Sequence, residues 1–157
     1  MPRDGLRTGN AFRLWFMNVK GILAGLLTGA IFIPAIAVIA VLALADDSGS
    51  NQVTTSAVLA AGATLTSIWA LSRLRALLAQ ARVRDETAAT AWLGILGAVL
   101  LAGGFASVAF YAWEEVVVGY ETPTINLLIF LIPAGLLITA VALVVAVVEQ
   151  RNRIPAP

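Results

Sequence analysis

The chain has 157 residues, of which 60% are hydrophobic and 12% charged. A water-soluble domain is roughly 45–50% apolar and about 25% charged, so soluble globular and disordered chains are both excluded. Ten Lys and Arg against nine Asp and Glu leave too little basic excess for a nucleic-acid binder, and with no Cys or His there are no disulfides, thiolate nucleophiles, zinc or iron–sulfur ligands and no imidazole base.

The N-terminal tail carries Arg3, Arg7, Arg13 and Lys20, with Trp15 and Phe16 before the first apolar run. That run, 21–45, is 25 residues without a charge. About 20 apolar residues in a helix cross a ~30 Å hydrocarbon core. It is too long for a signal-peptide apolar region of roughly 7–15 residues, although Ala43-Leu44-Ala45 resembles a cleavage site, so it reads as a membrane anchor. Gly21, Gly25 and Gly29 recur every four residues, a doubled GxxxG that lets another helix approach closely. The partner helix could be internal or belong to another chain. Pro34 removes one amide donor and crowds the carbonyl of Ala30, which predicts a kink.

The first loop, 46–52, has only Asp46 and Asp47 for charge. The second run, 53–71, is just long enough to span and carries Ser56, Ala60, Thr64 and Ser67 as a small, partly polar stripe. The next segment, 72–90, holds Arg73, Arg75, Arg82 and Arg84. In it Leu74, Leu77, Leu78 and Ala81 recur at helical spacing, so the second helix is expected to run on past the bilayer with one apolar and one basic face. That basic face suits anionic lipid or an acidic partner. Asp85 or Thr87 is expected to cap the third helix.

The third run, 91–113, repeats small residues at Gly94, Ala98, Ala102 and Ala106. A second acidic loop, 114–124, brings Glu114, Glu115 and Glu121. The fourth run, 125–148, contains Gly135 and Thr139, and Pro133 is expected to kink it against the carbonyl of Ile129. The C-terminal tail adds Arg151 and Arg153. Trp69, Trp92, Tyr111, Trp113 and Tyr120 mark the span borders, where lipid anchoring accounts for all of them. None of the runs alternates polar with apolar as a spanning strand does.

The expected fold is therefore all-α: one membrane domain, 1–157, built as a four-helix bundle without a soluble domain. Four spans place both tails and the middle loop on one side, and all ten cationic side chains fall there. The positive-inside rule makes that side cytoplasmic. The inner segments sum to +6 and the outer loops to −5, a separation hidden by the overall +1. The dominance of Arg over Lys points to a prokaryote, hence its inner membrane.

No Asp, Glu, Lys or Arg lies within the four runs, which disfavours pumps and ion-coupled transport, since these need an intramembrane ionisable group. No catalytic residue, cofactor or metal site is expected. Asp46, Asp47, Glu114, Glu115 and Glu121 are the candidate outer cation contacts, by oxygen chemistry alone. Two functional readings follow. The first is a non-catalytic accessory or scaffolding subunit of a membrane complex, whose partners are the lipid bilayer and other membrane proteins or copies of itself. Its candidate packing or partner face is Gly21, Gly25, Gly29, Gly94, Ala98 and Ala102. The second is a self-assembling pore, holin-like or of effector type, lined by Ser56, Thr64 and Ser67, with Thr28, Ser107 and Thr139 as further hydroxyls. A small-solute transporter ranks behind both.

Overall fold

The structure is a computed structural model that describes residues 5–45, 52–82, 89–119 and 127–152, with side chains for 19–44, 53–81, 89–119, 127–149 and 151–152. Among the described residues there are four α-helices: α1, Gly5–Ala45; α2, Gln52–Arg82; α3, Ala89–Val118; and α4, Leu131–Asn152, which follows a 3-10 turn, Leu127–Phe130. Each of the four is long and apolar enough to cross a membrane. Asp46, Asp47, Arg84, Asp85, Thr87, Tyr120, Glu121 and Arg153 lie outside the described residues, and so do the side chains of Trp15 and Arg82.

The helices exceed the apolar runs that generate them. α1 has 41 residues, about 60 Å at a rise of ~1.5 Å each, so it outruns a bilayer. It passes through Pro34 without a break. α2 continues to Arg82 with Leu77 buried, and Leu74 and Ala81 pack beside it. α3 takes in Glu114 and Glu115, which sequence alone assigned to a loop. It stops where Gly119 turns to φ +70° and donates its N–H to the Glu115 carbonyl at 3.0 Å, a left-handed helix cap. The fourth element differs most from expectation. Its α-helical part begins only at Leu131, so Pro133 falls in the first turn. There the missing N–H has no intrahelical acceptor to lose, so the proline lies at the start of the helix rather than in its interior.

Contacts along the helices run in opposite senses. Gly25 and Gly29 meet Arg73 and Trp69, whereas Ala37 meets Gly62. Ser67 meets Ala102, and Gly94 lies near Leu77. Gly97 meets Thr139, and Gly104 meets Ile132. Successive helices are therefore antiparallel, and α1 also packs on α4, which closes an up-down-up-down bundle. Its core lies toward the end at which α1 begins and α4 ends, where Val19, Leu23, Leu26, Leu77 and Leu101 are fully buried. Toward the other end α1 turns Ile31, Phe32, Ile36, Ile39 and Leu42 outward. An apolar exterior of this extent is a membrane protein's surface, because lipid rather than water is its solvent.

Candidate functional site

The small-residue faces resolve into three separate seams. In the first, α1 presents Gly25 and Gly29 to α2. A Cβ at Gly29 would land on the Trp69 indole, and one at Gly25 would lie 3.3 Å from Cζ of Arg73. A helix carbonyl points toward the residue four positions on, so the missing side chain at Gly29 uncovers the carbonyl of Gly25. The Trp69 Nε1–H donates to that oxygen at 3.0 Å. Arg73, one turn further along α2, lays its guanidinium on the Trp69 ring, with Cζ 4.2 Å from the centroid. This is cation–π geometry. Gly21, the third member of the repeat, has nothing within 4 Å of its Cβ position.

The second seam lies between α2 and α3. Gly94, Ala98 and Ala102 are buried, and the Cβ position of Gly94 is 3.5 Å from Cδ1 of Leu77 on α2 and 2.7 Å from Cδ2 of Leu23, which reaches in from α1. Ser67 Oγ donates to the Ala102 carbonyl at 3.1 Å. Ala106, next in the four-residue repeat, is exposed. At ~3.6 residues per turn each step of four advances by about 40°, so three steps carry position 106 around the helix.

Between α3 and α4 lies the third seam, at Gly97 and Gly104 on one side and Gly135 and Thr139 on the other. A Cβ at Gly97 would strike Thr139 Oγ1, and one at Gly135 would lie 2.9 Å from the Leu101 amide nitrogen. Gly97 and Gly104 escaped the sequence reading. Their signal is a seven-residue spacing, two helical turns, rather than four.

All the candidate hydroxyls but that of Ser56 have a hydrogen-bond acceptor within the protein. Thr28 donates to the Ala24 carbonyl, Thr64 to Ala60, Ser107 to Gly104 and Thr139 to Gly135. Thr66, which the sequence reading passed over, is fully buried and donates to Gly62. Thr64 Oγ1 also accepts the Trp113 Nε1–H at 3.2 Å, and Ser56 is buried. Three of these groups join α2 to α3: Ser67, Thr64 and Trp113. Trp69 and Trp113 were read from sequence as lipid anchors, yet each ties two helices together.

Where α3 begins and α4 ends, Thr90 Oγ1 donates to Glu149 Oε2 at 3.3 Å. Arg75 is exposed, whereas Arg73 turns into the first seam. Arg73 lies outside the second apolar run, 53–71, but its guanidinium reaches back over Trp69 near the end of that run. Of the carboxylates in segment 114–124, Glu114 is exposed at the end of α3 and Glu115 half-buried. Among the described residues no three His, Cys, Asp or Glu side chains come together.

Comparison with protein-family models, curated proteins and solved structures found no match. The functional reading therefore rests on the seams, the burial pattern and the charge distribution.

Proposed function

We propose that this protein is a small, non-catalytic subunit of a prokaryotic inner-membrane complex, with both termini cytoplasmic, that docks larger membrane proteins. The observation that carries the reading is the uneven burial of the helices. Half of the most apolar window of α3 is buried, against 17% in α1 and in α4. The first and last helices thus offer most of their surface outward, α1 through Ile31, Phe32, Ile36 and Ile39, α4 through Leu137, Val141, Val144 and Val148. Lipid covers these faces in an isolated chain, and another membrane protein's helices can replace it at little net cost, since lipid tails and Leu are alike apolar. Thr64 and Ser67 have their hydroxyls committed to an own-backbone and a helix–helix bond, which favours a packed scaffold over a pore lined by Ser56, Thr64 and Ser67. All ten basic side chains fall at the tails and middle segment, which supports the orientation.

Purification from native membranes in mild detergent is expected to bring down a stable complex with other membrane proteins. A monodisperse homo-oligomer that conducts ions or dye after reconstitution would overturn this reading in favour of the pore. Orientation has its own test. A reporter fused at Asp47 is expected to read outside and one at Ala79 inside, and any other pattern refutes the charge argument.

A further inference from the structure

We propose that Arg73 is the receptor for a phosphate oxyanion, seated beside the guanidinium over Gly21 in the glycine groove of α1. A guanidinium carries five N–H donors in its plane, and stacking satisfies only its face. Arg73 spends that face on Trp69. Its Nε is buried without a hydrogen-bond partner, and among the described residues no acceptor meets the guanidinium. A cation near a helix end ordinarily reaches outward to water. Here it is folded back one turn and held by the indole, which the Gly25 carbonyl fixes in turn.

The groove supplies the space for an acceptor. Its floor is filled by Trp69 at Gly29, by Arg73 at Gly25, and is open at Gly21. Depth identifies what can enter. If the middle of the apolar span Val19–Leu44 is placed at the bilayer centre, then at ~1.5 Å per residue Gly25 lies about 10 Å from the centre and Gly21 about 16 Å. The hydrocarbon half-thickness is ~15 Å. The open position is therefore level with the headgroup boundary, and the guanidinium is just beneath it. A phosphate diester there can accept two parallel N–H bonds from the terminal nitrogens Nη1 and Nη2 of Arg73, beyond the buried Nε, the arrangement an arginine fork is built for. The source is a phospholipid headgroup from the surrounding leaflet or a free phosphate from the adjoining water. This assignment needs only that α1 and α2 cross the bilayer, and it stands whether or not the chain is a subunit of a larger complex.

The test is native mass spectrometry of the full chain released from neutral detergent, with added phosphatidylglycerol, phosphatidylcholine or inorganic phosphate. Wild type is expected to retain one phosphate-bearing molecule. Arg73→Gln should weaken retention by about tenfold, and Arg75→Gln, on the opposite face, should leave it unchanged. Because Arg73→Gln also disturbs the Trp69 stack, Gly21→Leu serves as the second variant. It fills the open position, leaves Arg73 and Trp69 in place, and is expected to abolish retention without lowering thermal stability. Displacement of bound lipid by millimolar inorganic phosphate would assign the site to free phosphate, and resistance to it assigns the site to lipid. Equal loss in Arg73→Gln and Arg75→Gln, or retention unaffected by Gly21→Leu, would overturn the proposal.

Discussion

Gly135→Ala is expected to be among the most damaging single-methyl substitutions at the described glycines. The new Cβ would lie 2.9 Å from both the backbone nitrogen and Cγ of Leu101, and 3.1 Å from the Gly97 carbonyl oxygen. Two of those three atoms belong to the backbone of α3, which cannot rotate away. Relief requires α3 and α4 to separate, and separation strains the neighbouring contacts of Gly97 with Thr139 and of Gly104 with Ile132. Overpacking of a rigid site costs about 1–3 kcal/mol, and a backbone clash belongs at the upper end. The same methyl placed where there is room supplies the control. Gly103→Ala puts its Cβ at an ordinary 3.8 Å from Leu131, and Gly21→Ala meets nothing within 4 Å. Both are expected to be neutral or stabilising by up to about 1 kcal/mol, the helix-propensity gain of Ala over Gly. Reversible unfolding in mixed micelles with increasing SDS measures all three. Equal losses for Gly135→Ala and Gly103→Ala would show that close approach at Gly135 does not hold α4.

Much of the fold is legible in the sequence because lipid is an undemanding solvent. A run of some twenty apolar residues must satisfy its own backbone, and a helix is the available answer. Runs 53–71 and 91–113 lie within α2 and α3, and run 21–45 ends where α1 ends. Helix ends are less legible, since Arg, Glu and Asn continue a helix into water as readily as Leu does within lipid. α2 reaches Arg82 and α3 reaches Val118 for that reason.

The faces are the part that composition conceals. Arg73 and Arg75 are two residues apart in one basic segment, which is about 200° around a helix. One enters the α1 seam and the other faces outward. Nothing in the segment distinguishes them except what stands opposite, and that depends on the register of α1 against α2. Register in turn follows from where glycine permits approach. The repeat Gly21, Gly25, Gly29 announces a groove but does not say that a tryptophan and an arginine, themselves four apart, will fill two of its three positions. Trp69 and Arg73 share a face at the same spacing as the glycines. Matching a large i, i+4 pair to a small one recovers this contact from sequence, where classing Trp69 as a lipid anchor misses it.

The second large effect is expected at that contact, and it is a coupling. Gly29→Ala places a methyl on the Trp69 indole, which must leave the groove. Its departure breaks the Nε1–H bond to the Gly25 carbonyl and withdraws the surface on which Arg73 stacks. Gly29→Ala alone is expected to destabilise by about 2–3 kcal/mol, from overpacking and the lost hydrogen bond together. Trp69→Ala alone should cost a similar amount, about 3 kcal/mol, by emptying the groove. In the double variant the methyl meets no indole, so its penalty disappears and the helix-propensity gain of Ala remains. The double variant is therefore expected to be no less stable than Trp69→Ala by itself, a coupling energy of about 2–3 kcal/mol by double-mutant cycle. Additive losses in the same SDS titration would mean that the indole does not occupy the gap at Gly29. Trp69→Phe separates the two contributions. It keeps a ring in the groove and a face for Arg73 but has no N–H, so it should lose only about 1 kcal/mol. Because Arg73 stays stacked in that variant and is released in Gly29→Ala, phosphate retention should survive the first substitution and fail in the second. Packing at one glycine and anion binding at another are thus linked through a single indole, and measuring both on Gly29→Ala and Trp69→Phe tests that link.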